Sequence, residues 1–411
     1  MGPGAAPVRL LVLFSDTGGG HRSAARAVIQ ALEEAYPGRF ASVLCDPLRG
    51  PGSSRLLRWV ARLYGPSIRW APWMWGVAYH CSDSRIAMGL LRRTLLALAT
   101  RPVAQVVARE QPAVIVSLHP LTGAAAVAGR ERAGHQTCVV TVVTDLITAH
   151  TAWRYPYADR VVVPSAAVRS RFGRDGFPSG RCEEVGLPVA SSFRGRSLRS
   201  HERTVLRRSL GLGGRRFLVV LAGGGEGAGG MARRASALLR RFDDVDVVAL
   251  CGRNRWLKHR LDALAADAAG RLVVQGFVDN MADWLQCADV VVTKAGPGTI
   301  AEATCCGAPL VLTSHLPGQE KGNAEFAVGA GAGLHAPTVQ QLVEIIGRLR
   351  RDPATVDAMR GASAGLGRPD AALGIADLLA GMVGVRPSQL PRVNLSNDSP
   401  AGVAGGGHGQ R

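Results

Sequence analysis

Short runs of apolar, β-branched residues alternate along the chain with longer stretches that repeat at helical spacing. Residues 8–14 (VRLLVLF), 113–118 (AVIVSL), 138–144 (CVVTVVT) and 160–165 (RVVVPS) make one series. A second series comprises 216–225 (RFLVVLAGGG), 245–252 (VDVVALCG), 272–277 (LVVQGF), 289–296 (DVVVTKAG) and 309–314 (PLVLTS). Continuous apolar strands separated by helices are the pattern of parallel sheets covered on both faces, so each series predicts a doubly wound α/β unit. The polar, basic stretch 191–215 between them predicts the boundary, giving units at 1–190 and 191–386. From Pro387 the sequence turns rich in Pro, Gly and Ser and is expected to be a disordered tail, 387–411.

Residues 47–82 break the pattern. No acidic residue lies between Asp46 and Asp83, while five arginines and four of the chain's seven tryptophans do. In SSRLLRWVARLYG, Leu56, Leu57, Trp59, Val60, Leu63 and Tyr64 cluster on one helical face, with Arg55, Arg58 and Arg62 toward the other. A tryptophan-rich loop with Trp70, Trp73 and Trp75 is expected to follow. A basic amphipathic helix beside clustered tryptophans suits the headgroup layer of an anionic bilayer. A core helix with a solvated arginine face is the alternative.

Composition narrows the choices. The chain has 411 residues, 47% hydrophobic and 19% charged, enough for two cores. Its net charge of +18 rests on 46 arginines and three lysines and favours an anionic partner. Nucleic acid is disfavoured, because no zinc spacing or RNP-type aromatic motif occurs and aromatics are only 5%. The eight cysteines show no ligand spacing, so structural thiols are expected and no metal. No run reaches the ~18 apolar residues of a spanning helix, and the first apolar run reads as a core strand, so neither span nor leader is expected.

Four segments carry candidate chemistry. SDTGGGH places Gly18, Gly19 and Gly20 between a strand and a helix, with His21 at the helix start. A substrate approaching the backbone explains it, and so does a tight turn with a capping histidine. AGGGEGAGG brings Gly223, Gly224, Gly225 and Glu226 to a strand–helix turn suited to phosphate, without a Walker lysine or a dinucleotide fingerprint. TKAGPGTIAEA sets Gly296, Pro297, Gly298 and Thr299 at a helix start suited to a diphosphate, with Glu302 able to accept from a ribose diol; a capped helix is the alternative. HLPGQEKGN offers Gln319, Glu320 and Asn323 to sugar hydroxyls, or to solvent.

Taken in order, SDTGGGH, GGGEG, CGRN, GF, TKAGPGTIAEA and GQEKGN resemble monogalactosyldiacylglycerol synthases and related processive diacylglycerol glycosyltransferases, from about residue 9 to about 335. SLHPLTG, VTDLITAH and GLPV are similar to the same family's N-terminal motifs. The resemblance implies the GT-B fold, with acceptor on the first Rossmann-like unit and nucleotide sugar on the second. It implies that His21 is the catalytic base or its close partner, that Asp145, near the acceptor, is catalytic with it, and that His119 and His150 also lie near the acceptor. It also implies that Gly223–Glu226 and Gly296–Thr299 face the diphosphate, Phe277 and Val278 the uracil, Glu302 the ribose, and Gln319 and Glu320 the sugar. The expected reaction is inverting transfer of a hexose from a UDP-sugar to diacylglycerol without metal or cofactor. It would take place peripherally on the cytoplasmic face of the cell membrane, with His21 titrating near neutrality. Rival readings are a UDP-sugar 2-epimerase, transfer to another lipid, and a non-catalytic lipid- or nucleotide-binding protein. The Arg/Trp segment argues against the first, and His21 with Gln319 and Glu320 against the last.

Overall fold

The computed structural model describes residues 6–16, 19–70, 72–194, 198–213, 216–225, 227 and 230–386, with side chains 64–70, 72 and 75 excepted. The division at 387 therefore lies outside the described residues, as do Gly18 and Glu226 and the side chains of Trp70 and Trp75. Six parallel strands form the first sheet: β1 (Val8–Leu13), β2 (Phe40–Cys45), β3 (Val114–Ser117), β4 (Cys138–Val142), β5 (Arg160–Val163) and β6 (Cys182–Glu184). Their spatial order is β2-β1-β3-β4-β5-β6. The second sheet holds β7 (Phe217–Ala222), β8 (Val245–Leu250), β9 (Leu272–Gln275), β10 (Val290–Thr293), β11 (Leu310–Leu312) and β12 (Gly333–His335), ordered β12-β11-β10-β7-β8-β9.

β2, β6 and β12 are additions to the strands the apolar runs predict, and all three are edge strands. An edge strand is covered less completely, so its sequence need not be continuously apolar; FASVLC in β2 is mostly half-buried. In both sheets the chain winds outward from one strand and then returns to that strand's other side. Those reversals fall between β1 and β3 and between β7 and β10. The crevice at the carboxyl ends of such strands is where an open α/β sheet binds its ligand.

The helix Gly20–Ala35 buries Ala24, Ala25, Ala27, Val28, Ala31 and Leu32, mostly small residues, in one core cluster with Leu10 and Val12 of β1. The helix Ala371–Met382, assigned by sequence to the second unit, instead buries Ile375, Ala376 and Leu379 in the first unit's core. Tyr36 donates a 2.8 Å hydrogen bond to Asp377 there. The chain's last described helix thus ties the two units together.

The basic amphipathic stretch forms the helix Arg55–Trp70. Leu57 and Ala61 anchor it among Leu11, Leu13 and Val103, whereas Leu56, Trp59, Val60 and Leu63 are exposed. The tryptophan-rich segment is a helix, Pro72–Ser82, rather than the expected loop. Its proline stands at the first helical position, where a missing N–H costs nothing. A third helix, Arg85–Arg93, exposes Ile86 and Leu90, so the apolar surface extends beyond residue 82. Among the described residues no helix is long and apolar enough to cross a membrane.

Candidate active site

The first unit's contribution gathers where β1, β3 and β4 end. Gly19 caps the helix Gly20–Ala35 in the left-handed region, φ +84°, which turns the chain sharply and brings His21 over the sheet. A ring N–H of His21 donates to the Leu118 carbonyl, and its Nδ1 lies 2.8 Å from Thr144 Oγ1. His119 meets it edge-on with ring centroids 4.5 Å apart, and Trp153 lies at 6.1 Å. Burial lowers His21 to about 4 against the favourable Leu118 bond. The expectation of a histidine titrating near neutrality is therefore corrected: His21 is neutral at physiological pH. Burial, and then His21 itself, also hold His119 well below the ordinary histidine value, and its Nδ1 accepts from the Leu121 N–H at 3.2 Å.

Asp145, 3% exposed, is committed to hydrogen bonds on both oxygens. Oδ2 accepts from Trp153 Nε1 at 2.7 Å and Oδ1 from Gln319 Nε2 at 3.1 Å, and the His150 N–H adds a further donor. Burial raises Asp145 to about 6, with these donors pulling it down and the charge of Glu320 pushing it up. The ring of His150 turns elsewhere. Its Nε2 is 3.2 Å from both Ser82 Oγ and the Tyr79 carbonyl, so it fastens the end of the Pro72–Ser82 helix.

The second unit's contribution gathers after β7, β8 and β10. The turn Gly223–Gly225 lies directly against the turn after β8. A Cβ on Gly252 would sit 2.6 Å from the Gly225 carbonyl oxygen and 2.7 Å from that of Gly224. Arg253 N–H donates to the Gly225 carbonyl at 2.9 Å. Its guanidinium extends across the cleft, because Nη2 would lie 3.3 Å from a Cβ on Gly19 and 3.4 Å from one on Gly225. Both glycines leave room for that arginine. The guanidinium carbon is also 5.7 Å from the centre of the Phe277 ring, which is 60% exposed on the cleft wall, while Val278 packs on the core beneath. Sequence reasoning passed over Arg253; its only signal was its place in CGRN, one arginine among many.

Gly296 and Pro297 open the helix Pro297–Cys305, with Gly298 unobstructed and Thr299 half-buried beside them. One turn in, the Glu302 carboxyl has no hydrogen-bond or ion-pair partner among the described residues, and burial raises it to about 7. Glu320, expected to face sugar hydroxyls, is buried and paired with Lys294, and also accepts from the Leu316 N–H at 2.9 Å. It braces the loop. Asn323 donates to the Ala295 carbonyl at 3.0 Å, and its buried Oδ1 and the buried Oε1 of Gln319 have no partner among the described residues.

That loop is clasped by the first unit. A Cβ on Gly318 would lie 2.6 Å from the Tyr79 ring, one on Gly76 2.8 Å from Pro317, and one on Gly322 2.7 Å from Thr148 Oγ1. The structure thus brings His21, His119 and Asp145 together with Arg253, Gln319 and both glycine turns. Arg55, Arg58, Arg62, Trp59 and Trp73 lie on the separate helical surface described above.

Two Rossmann-like units that face each other at their switch points are the GT-B arrangement. Residues 21–189 match the family model of monogalactosyldiacylglycerol (MGDG) synthase, and residues 218–372 that of the glycosyltransferase family 28 C-terminal domain. The chain is 31% identical over 347 residues to monogalactosyldiacylglycerol synthase 2, chloroplastic, of Arabidopsis thaliana, covering 82% of this chain and 73% of that one. The chain belongs to the monogalactosyldiacylglycerol synthase family. Among solved structures, Acinetobacter baumannii MurG aligns with a TM-score of 0.57 at 16% identity, over 91% of this chain and 100% of that one. Anabaena Alr3699/HepE in complex with UDP and glucose aligns at 0.56 and 15% identity, over 92% and 99%. These two likenesses show the fold.

Proposed function

We propose that this chain transfers a hexose, galactose in preference to glucose, from its UDP-sugar to the hydroxyl of diacylglycerol with inversion at the anomeric carbon. The observation that carries this reading is the Arg253 guanidinium held between the Gly19 and Gly225 turns, beside neutral His21. The acceptor hydroxyl enters over Gly19 and Gly20 and attacks the anomeric carbon from the first unit's side. His21 takes the hydroxyl proton. It is a weak base, but the hydroxyl grows strongly acidic as the new C–O bond forms, and the neutral ring always has a lone pair to offer. Thr144 and Leu118 hold the imidazole in place.

On the other side, UDP leaves with growing negative charge. The N–H groups of the Gly224–Gly225 turn, the start of the Pro297–Cys305 helix and the Arg253 guanidinium face that charge and need no rearrangement to do so. Phe277 offers its exposed face to the uracil and Glu302 its open carboxylate to the ribose. One displacement converts an α-linked donor into a β-glycoside. The exposed Leu56, Trp59, Val60, Leu63, Trp73 and Met74, together with the +18 charge, support docking on an anionic membrane surface where the lipid resides, on the cytoplasmic face. The shared fold does not separate transfer from 2-epimerisation; membership of the family and the apolar surface favour transfer.

The test supplies UDP-galactose or UDP-glucose to diacylglycerol in anionic liposomes, with wild type and His21→Ala. Labelled glycolipid from wild type, reduced about 100-fold or more in the variant, supports the assignment. Intact UDP binding with no glycolipid from either donor rejects diacylglycerol as the acceptor.

A further inference from the structure

We infer that Asp145, on the first unit, is a positioning residue that sets the orientation of Gln319 on the second, so that the donor sugar is read only when the two units are closed on each other. The inference rests on the donor placement proposed above.

An amide side chain has a donating end and an accepting end, and the two are otherwise nearly alike in shape. A carboxylate only accepts. The 3.1 Å bond from Gln319 Nε2 to Asp145 Oδ1 therefore decides which end of the amide faces the first unit. The other end, Gln319 Oε1, is left buried with no partner among the described residues. So is Asn323 Oδ1, four residues along in the first turn of the next helix, whose Nδ2 is held by the Ala295 carbonyl. Buried acceptors are seldom left unsatisfied. Both open groups are acceptors, so the ligand that completes them presents hydroxyl donors, as a hexose does.

Asp145 can do this because it is itself immobile. Trp153 Nε1 holds its other oxygen at 2.7 Å, and both residues are almost fully buried. The Trp153 ring lies 6.1 Å from that of His21, so one chain of contacts runs from the sugar-reading amide to the proton-accepting turn. The partners lie 174 residues apart, on different units, so the bond spans the cleft and separating the units would break it. The loop is brought to Asp145 by close backbone fit, with Gly318 at φ +81° against Tyr79 and Gly322 against Thr148. Glu320, one residue on, faces away into its pair with Lys294, so it does not compete for the amide.

The test is an exchange of the two groups in the full chain, read by calorimetric binding of UDP-galactose and of UDP and by donor KM and kcat. In Asp145→Asn the new amide offers one acceptor oxygen to three donors, Trp153, Gln319 and the His150 N–H. In Gln319→Glu two carboxylates face each other. In the double variant D145N/Q319E the amide at 145 accepts from Trp153 and donates to the carboxylate at 319, whose second oxygen again faces the sugar as an acceptor. Each single variant is expected to raise the ratio of the UDP-galactose to UDP dissociation constants about tenfold or more. Donor KM should rise with it, while UDP binding stays at the wild-type value. The double variant is expected to recover most of that loss. Singles that bind UDP-galactose like wild type, or a double variant that loses the sum of the singles, overturn the inference. A wild type that binds neither UDP nor UDP-galactose overturns instead the donor reading on which it rests. If Asp145→Asn fails to fold, Gln319→Glu against the double variant decides the matter, because rescue by a second substitution cannot come from structural damage.

Discussion

Replacing Glu302 by Gln separates what this residue costs the free protein from what it contributes to the nucleotide complex. Burial raises its carboxyl from the ordinary 4.5 to about 7, and no described group neutralises it. The folded protein therefore holds a proton that the unfolded chain releases between those two values. Stability falls as pH rises through that window, and the full penalty is present above pH 7. At about 1.4 kcal/mol per pH unit the upper bound is about 3 kcal/mol. The side chain is only half-buried, so solvent screening reduces this to about 1–2 kcal/mol. Glu302→Gln cannot ionise and should raise the melting temperature at pH 8 by a few degrees, with little change at pH 5. In the complex the sign reverses. A ribose diol donates to the charged carboxylate, and each such bond is worth about 1.5–3 kcal/mol. The variant should therefore bind UDP about ten- to a hundredfold more weakly. Wild-type affinity should likewise fall as pH drops below about 7, because the proton must leave before the diol can donate to both oxygens. Thermal melts at pH 5 and pH 8, with and without UDP, read both effects. A variant that melts lower than wild type at pH 8, or that binds UDP unchanged, refutes the reasoning.

Other outcomes follow from the same geometry. Arg253→Ala should lower kcat with UDP-hexose by about 100-fold through loss of leaving-group stabilisation, with Arg253→Lys intermediate; an unchanged kcat would remove Arg253 from the diphosphate site. Gly318→Ala combines a forbidden φ of +81° with a methyl 2.6 Å from Tyr79 and should cost about 1–3 kcal/mol and raise donor KM, whereas Gly329→Ala, with open space around it, should do neither in the same melt and kinetics. Trp59→Glu and Trp73→Glu alter side chains 61% and 68% exposed. Each should weaken sedimentation with anionic liposomes about tenfold or more while leaving melting temperature and UDP binding unchanged. Retained liposome binding would place the docking surface elsewhere.

The central strands were legible because parallel strands buried on both faces must be apolar along their whole length. The edge strands β2, β6 and β12 were not, since one neighbour suffices for them and their composition relaxes. The glycine turns were legible because left-handed φ and close approach leave few other residues possible, and Gly19 and Gly252 illustrate each reason. The Pro72–Ser82 helix was not legible because its apolar residues are spread around the helix rather than gathered on one face. What no local pattern could disclose is the contact between units. The Asp145–Gln319 bond, the reach of Arg253 to Gly19 and the return of the last described helix to the first sheet all join residues far apart in sequence. The neutral state of His21 has the same origin, because it depends on burial, with His119 and Trp153 closing around the ring against the opposing Leu118 bond.

The most direct test of the central claim is the anomeric configuration of the glycolipid formed from α-linked UDP-galactose and diacylglycerol, read by proton NMR on the isolated product. The account predicts a β-galactosyl linkage to the glycerol hydroxyl, with UDP released in equal amount. An α-linked product would contradict single displacement with His21 as the base, and an epimerised UDP-sugar with no glycolipid would contradict transfer altogether.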